Sequence, residues 1–400
     1  SGLPDLYCAV GGKRGSGLKT NELWLDPGGP EPREVGAASG LADPAGRGRL
    51  VAFLGARKQR ATDLVITNSP TRVDGLPSLT RLFRANGKGG FKERMRVPVA
   101  SRKGARAIQA ADFDRDGRED LLLVTGGPQS PEPAGTRIYR NTRKGLVDVT
   151  RKMGVRQFDE WDAELVDVNG DKRLDLVQVS EVKLMVSLQK GGRFKKVYER
   201  NLTDGRAIAS GDVNGDERTD LYCAVGGKRG SGLKANELRL DPGGPQPREV
   251  GAASGLADPA GRGRLVAFLG ARKPRARDLV ITNSPTRVDG LPSLTRLFRA
   301  NGKGGFKERM RVPVASRKGA RAIQTADFDR DGREDLLLVT GGPQSPEPAG
   351  TRIYRNTRKG LVDVTRKMGV RQFDEWDAEL VDVNGDKRLD LVQVSEVKLM

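Results

Sequence analysis

The chain has 400 residues, with 71 Lys and Arg against 52 Asp and Glu for a net charge of +19, 5% aromatic residues and no histidine. Without histidine, the usual general base and the commonest transition-metal ligand are missing, which excludes Ser-His-Asp hydrolysis and conventional zinc chemistry. No apolar run approaches the roughly 20 residues of a membrane helix. The scarcity of aromatic side chains argues against a nucleic-acid partner, because single-stranded bases need stacking platforms.

The sequence contains an internal duplication: residues 5–185 recur as residues 220–400, with six mismatches in 181 positions. Within each copy a shorter acidic pattern recurs about every 54 residues, which is typical of a repeat architecture. The two cysteines, Cys8 and Cys223, occupy the same position in the two copies. Equivalent positions in two halves of a ring lie far apart, so we predict two free, buried thiols and no disulfide.

The predicted elements are short strands bracketed by glycine and proline, without helical periodicity. The clearest unit has strands over 107–111, 121–124, 137–140 and 146–150, with an acidic turn over 112–120 between the first two. Other units repeat this order, with strands over 79–83 and 91–97 in one unit and over 183–188 and 194–198 in another. Four such strands predict one antiparallel sheet per unit.

Repeated four-stranded sheets predict an all-β fold, a β-propeller, with a two-domain sandwich as the alternative. Acidic turns begin at positions 55, 112, 167, 212, 270, 327 and 382, and Asp5 and Leu6 are the end of an eighth. We therefore predict one domain over residues 1–400 with eight blades, seven being the alternative count. The counterpart of residues 186–219 is missing, so we expect the ring to be incomplete or to share strands between its ends. Any targeting segment is expected upstream of Ser1.

Five of the acidic turns place side-chain oxygens at relative positions 1, 3, 5 and 9, a spacing that lets them converge on one hard cation. Calcium is the expected metal, with about five structural sites, because carboxylate and carbonyl oxygens are its preferred ligands. An EF-hand is excluded, since position 12 carries no glutamate and no helices flank the turns. The expected ligands are Asp112, Asp114, Asp116, Asp120; Asp167, Asn169, Asp171, Asp175; Asp212, Asn214, Asp216, Asp220; Asp327, Asp329, Asp331, Asp335; and Asp382, Asn384, Asp386, Asp390.

Residues 112–124, Asp-Phe-Asp-Arg-Asp-Gly-Arg-Glu-Asp-Leu-Leu-Leu-Val, closely resemble the FG-GAP/VCBS repeats of calcium-binding β-propellers such as integrin α-subunit heads. The runs that begin at Thr80 and at Arg137 resemble bacterial ASPIC/UnbV-type chains related to cartilage acidic protein. The resemblance implies that the acidic turns join the first two strands of each blade and bind calcium structurally, whereas ligands contact the loops at the top of the blades.

Two turns depart from the pattern and keep only the last carboxylate, at Asp63 and Asp278. We expect these turns to hold no metal. Our hypothesis from the sequence is that Arg57 and Arg272 replace the cation by pairing with those carboxylates.

Two further motifs are candidates for ligand contact. A glycine-rich run beginning at Gly12 resembles a phosphate-binding loop, but Leu18 stands where its lysine is required, so that interpretation fails. Each copy also contains Phe-Asp-Glu-Trp-Asp, in which a tryptophan beside acids either stacks on a sugar or packs in the blade. The candidate ligand-binding residues are Trp161, Trp376, Asp159 and Asp374.

We predict a non-catalytic, calcium-stabilised module that forms a monomeric ring and recognises a protein or glycan, and the net positive charge favours an anionic one. Weak, numerous calcium sites suit an extracellular, cell-surface or periplasmic location. The alternatives are a calcium-dependent polysaccharide lyase, which would use Lys, Arg or Tyr and would be favoured by a cluster of them around an additional, open calcium site, and a polyanion-binding module driven by the positive charge.

Overall fold

A computed structural model describes residues 5–10, 20–42, 48–55, 62–68, 79–98, 105–125, 135–226, 235–258, 263–270, 277–283, 294–313, 320–340, 350–372 and 375–395. These residues form short strands and two four-residue helices, α1 (Gly36–Ser39) and α2 (Gly251–Ser254). Neither helix has the length or apolar character needed to cross a bilayer, and the described residues contain no other helix.

The strands of the first half, in chain order, are β1 (Leu6–Cys8), β2 (Glu22–Leu25), β3 (Arg33–Glu34), β4 (Gly48–Leu54), β5 (Asp63–Asn68), β6 (Leu79–Ala85), β7 (Phe91–Pro98), β8 (Ala105–Ala111), β9 (Asp120–Thr125), β10 (Gly135–Thr142), β11 (Gly145–Asp148), β12 (Glu160–Val166), β13 (Asp175–Ser180), β14 (Lys183–Lys190) and β15 (Arg193–Asn201). Those of the second half are β16 (Gly205–Gly211), β17 (Asp220–Val225), β18 (Glu237–Leu240), β19 (Arg248–Glu249), β20 (Gly263–Leu269), β21 (Asp278–Asn283), β22 (Leu294–Ala300), β23 (Phe306–Pro313), β24 (Ala320–Ala326), β25 (Asp335–Thr340), β26 (Gly350–Thr357), β27 (Gly360–Asp363), β28 (Glu375–Val381) and β29 (Asp390–Ser395).

The strands pair antiparallel into eight sheets. Six sheets have four strands, the first has three (β1–β3) and the last has two (β28–β29) among the described residues. The first strands of successive sheets, β4, β8, β12, β16, β20, β24 and β28, contact one another in series. This is the radial arrangement of a β-propeller around a central channel, so the predicted all-β propeller with eight blades is confirmed and the sandwich alternative is wrong.

Each second strand supplies side chains to two interfaces, because successive residues of a strand point to opposite faces. In β9, Leu121 and Leu123 pack against the preceding sheet, whereas Leu122 and Val124 pack against the following one. Seven such apolar clusters are described, one between each pair of sheets that are adjacent in sequence. Burying one leucine of this kind contributes about 2 kcal/mol, so the sheets are held by their faces.

The first and last sheets of the chain are joined by a glycine–valine contact that also occurs between two consecutive sheets in its middle. A Cβ placed on Gly243 would lie 2.7 Å from Val168 Cγ2, and the equivalent Cβ on Gly28 would lie 2.8 Å from Val383 Cγ2. The first and last sheets are therefore neighbours in the same way as two consecutive sheets of the interior. Strand sharing between them is absent from the described residues, where β28 and β29 pair only with each other.

Both cysteines are free, as predicted. Cys223 is buried in an apolar cluster between sheets, and Cys8 is half-buried.

Candidate functional site

The five acidic turns share one backbone conformation. In each of them, positions 4 and 6 have positive φ, in the left-handed region that glycine adopts without cost. Glycine occupies only one of the two positions, namely position 6 in two turns and position 4 in three. The other is a non-glycine residue that bears strain in this region, and these residues are Arg115, Lys172, Glu217, Arg330 and Lys387.

The carboxylate at position 1 receives the backbone N–H of position 6 in all five turns. In the second turn, Lys172 N donates to Asp167 Oδ2 at 2.6 Å. The side-chain oxygen at position 3 accepts a hydrogen bond from the backbone N–H of position 5, and the carboxylate at position 5 accepts one from the backbone N–H of position 7. These bonds wrap the backbone around the acidic side chains and turn oxygens at positions 1, 3 and 5 towards the inside of the turn.

The carboxylate at position 9 is mainly a structural group. Asp120 Oδ1 accepts from Asn141 N at 2.8 Å, and Asp175 Oδ1 accepts from Gln189 N at 2.8 Å, so each ties its turn to the third strand of the sheet. The same bond joins Asp63 to Ala85 N in a turn that lacks the other acids. Fixing the third strand therefore explains why position 9 alone keeps its carboxylate in the two divergent turns.

Two turns bring three carboxylates together. Oxygens of Asp112, Asp114 and Asp116 lie within 4.8 Å of one another, as do those of Asp327, Asp329 and Asp335. Among the described residues, no other turn gathers three carboxylates so closely. The remaining three turns have asparagine at position 3, which offers a carbonyl oxygen and no charge. The structure thus assembles part of the predicted ligand set most tightly where all four positions are aspartate.

The donor set of these turns fits a hard cation. Asp112 Oδ1, Asp120 Oδ2 and Asp327 Oδ1 are buried without a hydrogen-bond partner among the described residues. Burial raises the pKa of Asp120 and Asp335 to about 7. Buried carboxylates that lack donors are costly unless a positive charge compensates them, and calcium is bound by oxygens of this kind.

An arginine from the third strand lies over each all-aspartate turn. Arg140 Nε lies 2.5 Å from Asp114 Oδ2, and its terminal nitrogen lies 3.1 Å from Asp116 Oδ2. Arg355 makes the equivalent ion pairs with Asp329 and Asp331. These guanidiniums neutralise part of the acidic charge and compete with any cation in the turn.

In each of the two divergent turns, the lone carboxylate pairs with an arginine of the third strand. Arg84 forms an ion pair with Asp63 and donates to Asn141 Oδ1 of the next sheet at 2.7 Å. Arg299 makes the same contacts with Asp278 and Asn356. Arg57 and Arg272 lie outside the described residues. The cation that compensates the lone carboxylate is therefore supplied by the third strand, 21 residues after Asp63.

Trp161 lies within β12, one residue after its start. The guanidinium carbon of Arg106 lies 3.5 Å from the centre of its ring, and that of Arg206 lies 4.2 Å from it. Because these arginines come from the strands on either side, they cover the faces that a sugar would need. The side chain of Trp376 and the whole of Asp374 lie outside the described residues, and Asp159 is half-buried.

Arg106 and Arg206 are site residues that the sequence reasoning missed. The signal was available, because arginine recurs at the second position of most first strands.

A sequence model of the FG-GAP-like repeat matches residues 60–123, 167–223 and 276–338. The chain is a β-propeller that carries FG-GAP-like repeats. No curated protein matches the sequence. The fold is similar to that of an Agrocybe aegerita lectin that recognises non-reducing terminal N-acetylglucosamine, with 14% identity, a TM-score of 0.50, and coverage of 87% of this chain and 88% of the lectin.

Two further structures share the propeller's fold. One is a protein from Bacteroides fragilis assigned as a 6-phosphogluconolactonase, with 8% identity, a TM-score of 0.52, and coverage of 90% of this chain and 94% of that one. The other is the V. cholerae biofilm matrix protein Bap1, with 10% identity, a TM-score of 0.51, and coverage of 98% and 84%. At these identities the likeness establishes the fold alone.

The tyrosines of this FG-GAP-like propeller are core residues. All five are described: Tyr139, Tyr222 and Tyr354 are buried, and Tyr7 and Tyr198 pack against apolar clusters. Burial raises the pKa of Tyr139 and Tyr354 to about 12. No tyrosine therefore stands at an acidic turn as a base for a calcium-assisted elimination.

Proposed function

We propose that the protein is a non-catalytic recognition module whose propeller is stabilised by calcium in five acidic turns and which binds a protein or glycan ligand outside the cytoplasm. The observation that carries the calcium part is the grouping of three carboxylates within 4.8 Å in two turns, with buried oxygens left without donors. Position 9 contributes a carboxylate to each site, which is buried in four of the five turns, while positions 1, 3 and 5 contribute the oxygens that face into the turn.

Bound calcium would neutralise the acidic charge and fix the connection between the first and second strands of each blade. Anything that binds the folded state alone raises stability by mass action. The five turns lie at one end of their blades, since each follows the last residue of a first strand. The opposite end, where the first strands begin, is left for the ligand.

Several observations support recognition over catalysis. Three of the five tyrosines are buried in the cores and the other two pack against apolar clusters, and the chain has no histidine. The folds that it resembles include a lectin and a biofilm matrix protein. An extracellular location is consistent with weak sites that fill only at high calcium concentration.

The test is a screen of the whole chain against neutral and acidic glycans, in calcium and in chelator, at two salt concentrations. We expect binding that needs calcium and tolerates salt. Binding that ignores chelator would contradict the calcium part of the proposal, whereas binding that collapses with salt alone would indicate bulk electrostatics. Release of unsaturated products from an acidic polysaccharide would show that the module is a lyase.

A further inference from the structure

Seven first strands share a β-bulge at the same place. In each, the second residue is left out of the pairing with the second strand, as between Ala105 and Ala107 in β8. A bulge of this kind re-aims the side chain of the unpaired residue. The seven bulge residues are Arg49, Arg106, Trp161, Arg206, Arg264, Arg321 and Trp376. We call this set the bulge ring.

The bulge ring lies at the end of the channel opposite the acidic turns. Its strands stand side by side around the axis, so equivalent positions on them form a circle. Five residues separate Arg106 from Asp112, which at about 3.3 Å per residue places the two ends roughly 20 Å apart. Among the members whose side chains the structure describes, four arginines and Trp161 thus lie around one mouth of the channel.

Contacts show that the side chains converge. Arg106 and Arg206, from different blades, both lie within 4.2 Å of the centre of the Trp161 ring. Cation–π contacts of this type hold guanidinium planes against an aromatic face. Burial lowers the pKa of Arg264, and the charge of Arg206 lowers it further. Neighbouring members of the bulge ring are therefore close enough to repel one another.

Acids orient Arg206 without using all of its donors. Arg206 pairs with Asp204, and its terminal nitrogen lies 3.8 Å from Glu181 Oε1. A guanidinium has five N–H donors, so Arg206 retains donors beyond these bonds. Glu160, directly before Trp161, is fully buried, and burial raises its pKa to about 7, which reduces its negative charge near neutral pH.

Trp161 itself indicates a missing acceptor. Its Nε1–H group can only donate, and Nε1 is buried without a hydrogen-bond partner among the described residues. Buried donors are normally satisfied. A group rich in acceptors, placed among donors from three adjacent strands, would satisfy it.

We propose that the bulge ring is a binding site for an oxyanion (a carboxylate, sulfate or phosphate group) that the ligand presents to the mouth of the channel. Arg106 and Arg206 supply paired N–H donors in the planar arrangement that suits such groups, and Trp161 holds both. The inference rests on the recognition function proposed above and deepens it by naming the ligand class. The contacts that support it do not involve the acidic turns.

The test uses calorimetry on the whole chain in calcium with three probes: a galacturonic acid tetramer, a neutral galactose tetramer and inorganic sulfate. We expect binding of the acidic tetramer, of sulfate or of both, and none of the neutral tetramer. Sulfate binding would indicate a general oxyanion site, and binding of the acidic tetramer alone would indicate an acidic glycan.

The variants are Arg106→Gln and Arg206→Gln, each expected to weaken binding about tenfold or more, the effect of losing a charged hydrogen bond. Arg96→Gln is the matched control, because this variant loses the same charge at an arginine that is exposed on an outer strand. Arg206→Lys keeps the positive charge but not the planar pair of N–H donors, so we expect a partial loss of binding affinity. Thermal unfolding of each variant shows that it is folded.

Absence of binding to both charged probes, or equal weakening by Arg96→Gln and Arg106→Gln, would overturn the proposal. Such a result would leave calcium-dependent stability intact, so it is distinguishable from failure of the calcium proposal. If calcium does not stabilise the protein but oxyanion binding is retained, the calcium proposal fails and the oxyanion proposal stands.

Discussion

The ion pair between Arg84 and Asp63 gives the sharpest test of how the divergent turns are held. The two side chains are 13% and 4% exposed, so Arg84→Met leaves a carboxylate buried without its partner. Breaking a buried pair in this way costs about 3–5 kcal/mol. The variant also loses the hydrogen bond to Asn141 Oδ1 in the next sheet. We expect the free energy of unfolding to fall by about 3 kcal/mol.

A double-mutant cycle separates the pair from the packing. Asp63→Asn keeps an acceptor for Ala85 N, which donates to Asp63 Oδ1 at 3.0 Å in the native protein. Adding Asp63→Asn to Arg84→Met removes the uncompensated charge, so the double variant should recover much of the loss. The assay is urea unfolding in chelator, followed by circular dichroism.

The duplication offers a replicate, and the outer strands offer a control. Arg299→Met removes the same contacts in the second copy and should cost as much as Arg84→Met. Arg96→Met, at an arginine that is 61% exposed, should change stability by less than about 0.5 kcal/mol. A loss below about 1 kcal/mol for Arg84→Met, or a double variant no more stable than the single one, would refute the reasoning.

Four further predictions follow from the described contacts. Burial raises the pKa of Asp162 to about 7, so the folded state loses stability as pH rises from about 4 to 7, where the unfolded chain ionises this carboxyl more readily. Asp162→Asn should therefore stabilise the protein by up to about 4 kcal/mol at pH 8 and by nothing at pH 4. The value at pH 8 is an upper limit because the residue is not fully buried. Equal effects in urea unfolding at both pH values would contradict this. Arg140→Ala removes a half-exposed competitor from its turn and should raise calcium affinity about two- to fivefold by calorimetry; a fall would mean that Arg140 organises the site. Lys172→Gly relieves a φ of 65° and should stabilise the chelated protein by about 1 kcal/mol, whereas destabilisation in urea would show that the strain is absent. We propose that residues 1–400 form one domain, so calorimetric melting should give a single transition, and two transitions would contradict it.

The acidic turns and most strands were predictable because their signals are local. The spacing of Asp112, Asp114 and Asp116 lies within one turn, and a run such as Leu121 to Val124 shows a buried strand without tertiary information. The sequence also located seven turns correctly, each of which follows directly on a first strand. Local chemistry and the repeat together were sufficient for the fold class.

The partners of charged groups were not predictable in the same way. The hypothesis from the sequence considered only the nearby Arg57, which lies outside the described residues. Asp63 contacts Arg84 because β5 and β6 return the chain to the turn. Trp161 was considered for stacking on a sugar, but its faces are covered by arginines that lie 55 and 45 residues away in sequence. Such contacts depend on sheets standing next to one another around an axis.

The function of position 9 also emerged only from the structure. The spacing alone presented Asp120 as a fourth ligand equal to the others. Its hydrogen bond to Asn141 N shows a second role in fixing the third strand, which is why the divergent turns retain an aspartate there.

The most direct test of the central claim is calorimetric titration of calcium into the chelator-treated protein, together with thermal unfolding. The account predicts uptake of about five ions and a higher melting temperature with calcium. It also predicts one ion fewer for Asp112→Asn and two fewer for Asp112→Asn with Asp327→Asn, because position 1 is aspartate in all five turns, while Asp148→Asn, at an exposed aspartate outside the turns, changes nothing. Absence of calcium uptake, or a melting temperature that is the same with and without calcium, would contradict it.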